Sequence, residues 1–268
     1  MPAIDIARLK IQAAVLVEKF DQPALFLKNL REILDLYADR TLRANVTAPA
    51  SVLPAYHTPQ AVLRQIEMEL SPLIATFPAQ TMLLADTLWN DGTLETRLLA
   101  ASLLGRIDPG TPQLPDRLTD WVTHTRDATL RNALLTISLK RLRRETPNQF
   151  LSLMQRWLSP LTPKMWSDGL QALLPLIDDP RYDNLPPIFD LFQPVLENAS
   201  SNLQNELALV INALYRASPV ETVYFLRKTI RALNRPAPIL TIRRTLPWLE
   251  KKLQPPVQEM LRTKSAMV

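Results

Sequence analysis

From Leu83 to Ile107 the chain reads LLADTLWNDGTLETRLLAASLLGRI, and its apolar residues return at steps of three and four. With about 100° of rotation per residue, that spacing gathers them on one side of a helix. Leu83, Leu84, Leu88 and Trp89 form a first stripe, and Leu94, Leu98, Ala101, Leu104 and Ile107 form a second. Asn90-Asp91-Gly92 lies between them and tolerates positive φ, so the first helix is predicted to stop there. The second starts at Thr93, with Glu95 and Thr96 in its first turn, and Gly105 and Asp108-Pro109 mark its end. Such an αα-hairpin cannot bury both apolar faces alone, so it requires neighbours of its own kind.

The neighbours are visible as a period. Trp89, Trp121, Trp157 and Val195 each stand near the end of one helix and just before another, at spacings typical of two-helix repeats. Proline-bearing connections separate the units: Asp108 to Pro115, Glu145 to Pro147, Asp178 to Pro187 and Ser218-Pro219. Ahead of them, helices are predicted over about Ile4 to Phe20 and Pro23 to Leu42, the second capped by Asp21. A loop follows from Ala44 to Tyr56, then a helix opened by Thr58-Pro59 and ended or turned by Ser71-Pro72. Only 4 glycines against 24 prolines suit helices joined by proline-led turns better than strands joined by glycine turns. The expected fold is all-α, a right-handed α-solenoid in a single domain over 1–268. Its parts are capping helices over 1–45, repeats over 59–233 and C-terminal capping helices over 236–262.

The chain has no cysteine, which excludes disulfides and thiolate chemistry and is compatible with a reducing cytoplasm. No window approaches a membrane-spanning length of apolar residues, and MPAIDIARLK lacks the pattern of a signal peptide. A cytoplasmic protein without a membrane partner is expected. His57 and His124 are too isolated to suggest a metal site, and no cofactor is expected. Neither a glycine-rich phosphate loop nor a nucleophile elbow is present, so a conventional enzyme is the weaker expectation.

The units look like HEAT repeats, and they resemble more closely the HEAT-like DNA glycosylase family that excises alkylated bases. Trp89, Glu95-Thr96-Arg97, Ala100 and Leu103-Leu104 carry that resemblance, with Ile211-Asn212-Ala213-Leu214-Tyr215, Pro219 and Phe225-Leu226 further on. The resemblance implies stacked helices around a concave basic groove for duplex DNA, and an aspartate that works with tryptophans and an arginine on the cationic base. The best positional matches are Trp121, Asp127 and Arg131. One turn after Trp121, where the family has its aspartate, this chain has Thr125.

Each candidate has a plain structural alternative. Asp127 is the candidate catalytic carboxylate, and it equally suits a helix N-cap; Asp168 and Asn202 are related cap candidates. Trp89, Trp121 and Trp157 can stack on a base or pack between units, whereas Trp166 and Trp248 fall outside the register and suit a surface. Arg97 and Arg131 are expected on the inner helices, with a repeat-to-repeat salt bridge as the plain reading for Arg97, which follows Glu95 closely. Lys140, Arg141, Arg143 and Arg144 form a basic run at a helix C-terminus, where the macrodipole favours cations without any ligand. Arg227, Lys228 and Arg231 belong to a basic end: from Glu221 to Val268 there are ten basic and three acidic residues. These cations are the candidate nucleic-acid contacts, with a protein or peptide as the rival partner. Oligomeric state is left open.

Overall fold

The computed structural model describes residues 5–39, 51–198, 200–232, 236–248 and 254–265, and every regular element among them is helical. Contacts divide the chain into two compact units, Met1–Thr146 and Pro147–Val268. The first contains α1 (Ile6–Val17), α2 (Pro23–Leu36), α3 (Gln60–Thr76), α4 (Pro78–Asp91), α5 (Leu94–Leu104) and α6 (Leu114–His124). It ends with α7 (Ala128–Ala133), a π-helical turn over Leu134–Ser138 and α8 (Lys140–Glu145). The second contains α9 (Pro147–Trp157), α10 (Trp166–Ile177), α11 (Pro186–Asn198) and α12 (Gln204–Ala217), then α13 (Pro219–Ala232), α14 (Pro236–Thr245) and α15 (Gln254–Ser265).

Proline sets six of the helix starts. Pro23, Pro78, Pro147, Pro186, Pro219 and Pro236 each occupy the first helical position, where the missing N–H has no intrahelical acceptor to lose. Gly92 ends α4 at φ 82°, the left-handed conformation that the Asn-Asp-Gly signal implied. Two local expectations change, and Gly105 ends its helix as expected. Helix α3 runs through Pro72 to Thr76 instead of stopping at Ser71. Gln22, not Asp21, precedes α2, and it makes no side-chain cap. Gly105 follows α5 in an ordinary right-handed conformation, so its lack of a side chain serves packing rather than a turn. The expected loop from Ala44 to Tyr56 is non-helical from residue 51 onward, and its earlier part lies outside the described residues.

Within the first unit the helices pack in two layers. Helices α1, α3, α5 and the 128–145 segment follow one another in one layer, and α2 and α4 pack together in the other. Helix α6 continues that second layer, with Trp121 stacked on Trp89 of α4 and Arg117 paired with Asp86 at 3.0 Å. The second unit repeats the scheme, with α10, α12 and α14 side by side and α9, α11, α13 and α15 alongside. Helix α5 is central to its unit, so its buried surface is wider than the single stripe predicted. Leu99, Ala100, Leu103 and Leu104 are buried with Glu95 and Thr96, while Leu98 faces a cleft. Each leucine-sized side chain buried in this way contributes about 1.5–3 kcal/mol. Trp157 is also buried, and Trp166 departs from the surface role expected of it: it is 6% exposed and donates Nε1–H to the Ser159 carbonyl at 2.9 Å. The side chain of Trp248 lies outside the described residues.

Candidate nucleic-acid interface

One cleft of the first unit, of about 760 Å³, is lined by α3, α5, the π turn and α8. Five cations from these elements reach it: Arg64, Arg106, Lys140, Arg141 and Arg144. Two of them are braced. Arg106 meets the Glu67 carboxylate at 3.2 Å, while Arg141 bonds Glu145 at 2.7 Å and the Arg106 carbonyl at 2.9 Å. Lys140, Arg144 and Arg64 are exposed to solvent. Helical spacing explains why only part of the basic run faces the cleft. Residues 140, 141 and 144 share one side of α8, while Leu139, Leu142 and Arg143 share the opposite, buried side. The Arg143 guanidinium, 7% exposed, donates to the carbonyls of Leu135 and Thr136 at 2.7 Å each. Arg64 and Arg106 were not among the expected contacts. A signal existed: Gln60 and Arg64 on α3, and Leu98 and Ser102 on α5 with Arg106 in the turn just beyond it, recur at four-residue steps.

The remaining candidates in this unit hold helix ends. Arg97 donates Nε–H to the Trp89 carbonyl at 3.0 Å and sets its guanidinium carbon 4.9 Å from the Trp89 ring centroid. Arg131 donates to the Thr125 carbonyl at 2.6 Å. Both arginines stand four residues after the residue that precedes their helix, Thr93 and Asp127 respectively, and each reaches back to the end of the previous helix. They satisfy carbonyls that the helix termini leave without partners. Trp121 is 2% exposed, its ring stacked on Trp89 at 4.1 Å between centroids and 4° between planes.

Asp127 is the N-cap of α7 and is 2% exposed. One carboxylate oxygen accepts from Leu130 N–H at 2.9 Å and the other from Val52 N–H at 3.1 Å. Burial pushes its pKa upward, but bonds from the Ser51 side chain and the Leu130, Val52 and Thr129 backbone outweigh that and hold it below the ordinary aspartate value. Glu95 has a parallel role. Its carboxylate accepts from Tyr56 N–H at 3.1 Å and Thr58 N–H at 3.3 Å. The two buried carboxylates therefore tie the 51–58 segment across the starts of α5 and α7, aided by Leu94 N–H on the Pro54 carbonyl at 2.9 Å. Asp91 joins the rim, accepting from Thr93, Thr96 and Arg31. Its burial alone would raise the pKa, and those bonds reverse the shift to a lowered one.

In the second unit Arg227, Lys228 and Arg231 lie on the exposed side of α13, next to exposed Tyr224. Asp168 sits inside the first turn of α10 and is buried, and Asn202 lies within a short 3-10 turn, so neither occupies an N-cap position. No described helix is long and apolar enough to cross a membrane.

No curated protein and no solved structure matches the chain. The family model for DNA alkylation repair enzymes matches residues 51–243, from the segment tied down by Glu95 and Asp127 into α14. The match covers well over half of the chain, and the protein belongs to the DNA alkylation repair enzyme family.

Proposed function

We propose that the protein binds duplex DNA in the cleft of its first unit, through phosphates and with little base preference. The convergence of Arg64, Arg106, Lys140, Arg141 and Arg144 from three successive inner elements carries this reading. Cations on adjacent helices can follow a phosphate backbone, and each contact releases condensed counterions. In this reading the hairpins are HEAT-like repeats of a right-handed solenoid, and the cleft belongs to its concave side. Family membership makes DNA the preferred partner over a peptide.

The test is a titration of a short duplex at low and moderate salt, with the wild type beside Lys140→Glu/Arg144→Glu. These side chains are exposed, so the double variant is expected to fold as the wild type does. Its affinity is expected to fall at least tenfold at low salt, and the slope of log K against log salt to become shallower by roughly two. No wild-type binding at low salt, or binding indifferent to both charges and salt, would remove the reading in favour of a protein partner.

Excision of an alkylated base is the second reading, and the family's description favours it. It predicts release of alkylated purines from DNA, lost in Asp127→Asn if that carboxylate acts on the base. The hydrogen bonds already made by Asp127 support a role in the fold, so our reading is binding without excision through this residue.

A further inference from the structure

A continuous α-helix from Ala128 to Glu145 would provide each interior carbonyl with an N–H four residues on. The π turn over Leu134–Ser138 interrupts that ladder. Three residues hold the interruption in place. Arg143 donates to the Leu135 and Thr136 carbonyls at 2.7 Å each. The Ser138 hydroxyl donates to the Ala101 carbonyl of α5 at 2.7 Å. Gly105 allows the closest approach, since a Cβ there would stand 2.4 Å from the Ile137 carbonyl oxygen. Burying a guanidinium is unfavourable unless it is fully bonded, so the turn is an expensive feature that several side chains sustain.

The turn presents Ile137 to the cleft. Ile137 is 47% exposed and lines the same space as Arg106, Lys140, Arg141 and Arg144. Leu63, Ile74 and Leu98 also line the cleft, but Ile137 is a large aliphatic side chain that keeps nearly half of its surface open to solvent beside the cations. Duplex DNA offers what fits this combination: phosphates for the cations and, between them, the apolar faces of deoxyribose and base edges in the minor groove.

We infer that Ile137, displayed by the π turn, is the apolar contact of the cleft, packing against sugar and base edges of duplex DNA while Lys140 and Arg144 hold phosphates. The inference rests on the proposed DNA-binding function. Arg143, Ser138 and Gly105 are its positioning residues and touch no ligand.

An apolar contact and a phosphate contact differ in salt dependence, and the test uses that difference. The full-length protein is titrated with a short duplex over a range of salt, comparing wild type, Ile137→Ala, Lys140→Ala and Gly105→Ala, with melting curves to check folding. Ile137→Ala is expected to weaken binding roughly three- to tenfold at every salt concentration, leaving the slope of log K against log salt unchanged. Lys140→Ala is expected to make the slope shallower by about one. Gly105→Ala keeps Ile137 but pushes the turn away, and its line is expected to run parallel to and below that of the wild type. Ile137→Ala isotherms that superimpose on those of a DNA-binding wild type would overturn the inference and leave the phosphate cleft standing. Absence of wild-type binding would instead overturn the proposed function, and the inference with it. Unchanged affinity in a folded Gly105→Ala would overturn the positioning role of the turn.

Discussion

Replacing Trp121 by alanine is expected to destabilise the first unit by about 3 to 5 kcal/mol, the range for truncating a large buried aromatic. The ring is 2% exposed and lies flat on Trp89 at 4.1 Å, so its loss leaves a cavity and deprives Trp89 of its partner. The damage extends to Arg97, which is positioned by the Trp89 ring and carbonyl. Urea unfolding followed by tryptophan fluorescence and far-UV circular dichroism measures the effect. Trp121→Phe keeps an aromatic face and is expected to lose less than half as much. A wild-type midpoint for Trp121→Ala would show that the stack does not join α4 to α6.

Asp127→Ala is expected to cost about 2 to 4 kcal/mol, more than an exposed helix cap, because it leaves buried donors of both its own helix and the 51–58 segment without an acceptor. Asp127→Asn retains one acceptor oxygen and is expected to fall between the alanine variant and the wild type. The effect also depends on pH. The folded-state pKa of Asp127 lies below the ordinary value, so its ionised form contributes stability above about pH 4, and this is lost as the pH falls through the folded pKa. Asp91 shifts in the same direction and adds to that loss. Unfolding midpoints measured from pH 7 down to pH 3 should therefore fall less steeply in Asp127→Asn than in the wild type. Parallel profiles would separate Asp127 from the acid sensitivity of the fold.

The hairpins were legible in the sequence because their determinants are local. Gly92 stops α4 by its own backbone freedom, and the opening prolines need no distant partner. Periodicity placed Trp121 and Trp157 at equivalent helix ends but left open whether they pack or meet a ligand, and both are buried. Its errors came where tertiary contacts overrode local signals. Pro72 is tolerated within α3, Trp166 is buried despite falling outside the register, and Leu98 leaves the core because it lies on the side of α5 that opens to the cleft.

The site was far less legible, since charge alone does not say what a cation meets. Arg143 and Arg144 are adjacent in the sequence, yet one closes the π turn and the other faces the cleft. Arg97 and Arg131 were expected on a binding surface and instead bond carbonyls at the ends of preceding helices. Arg64 and Arg106 join the cleft only because α3, α5 and α8 lie side by side. By itself the sequence determined a chain of amphipathic helical hairpins, through 3.6-residue spacing and through turn residues that act within a few positions. Only the tertiary structure decided which charges face the cleft, because that choice depends on partners such as Val52, which is 75 residues from the Asp127 carboxylate that holds it. Buried polar groups must find such partners wherever the packing brings them, and the charges left over are those available to a ligand.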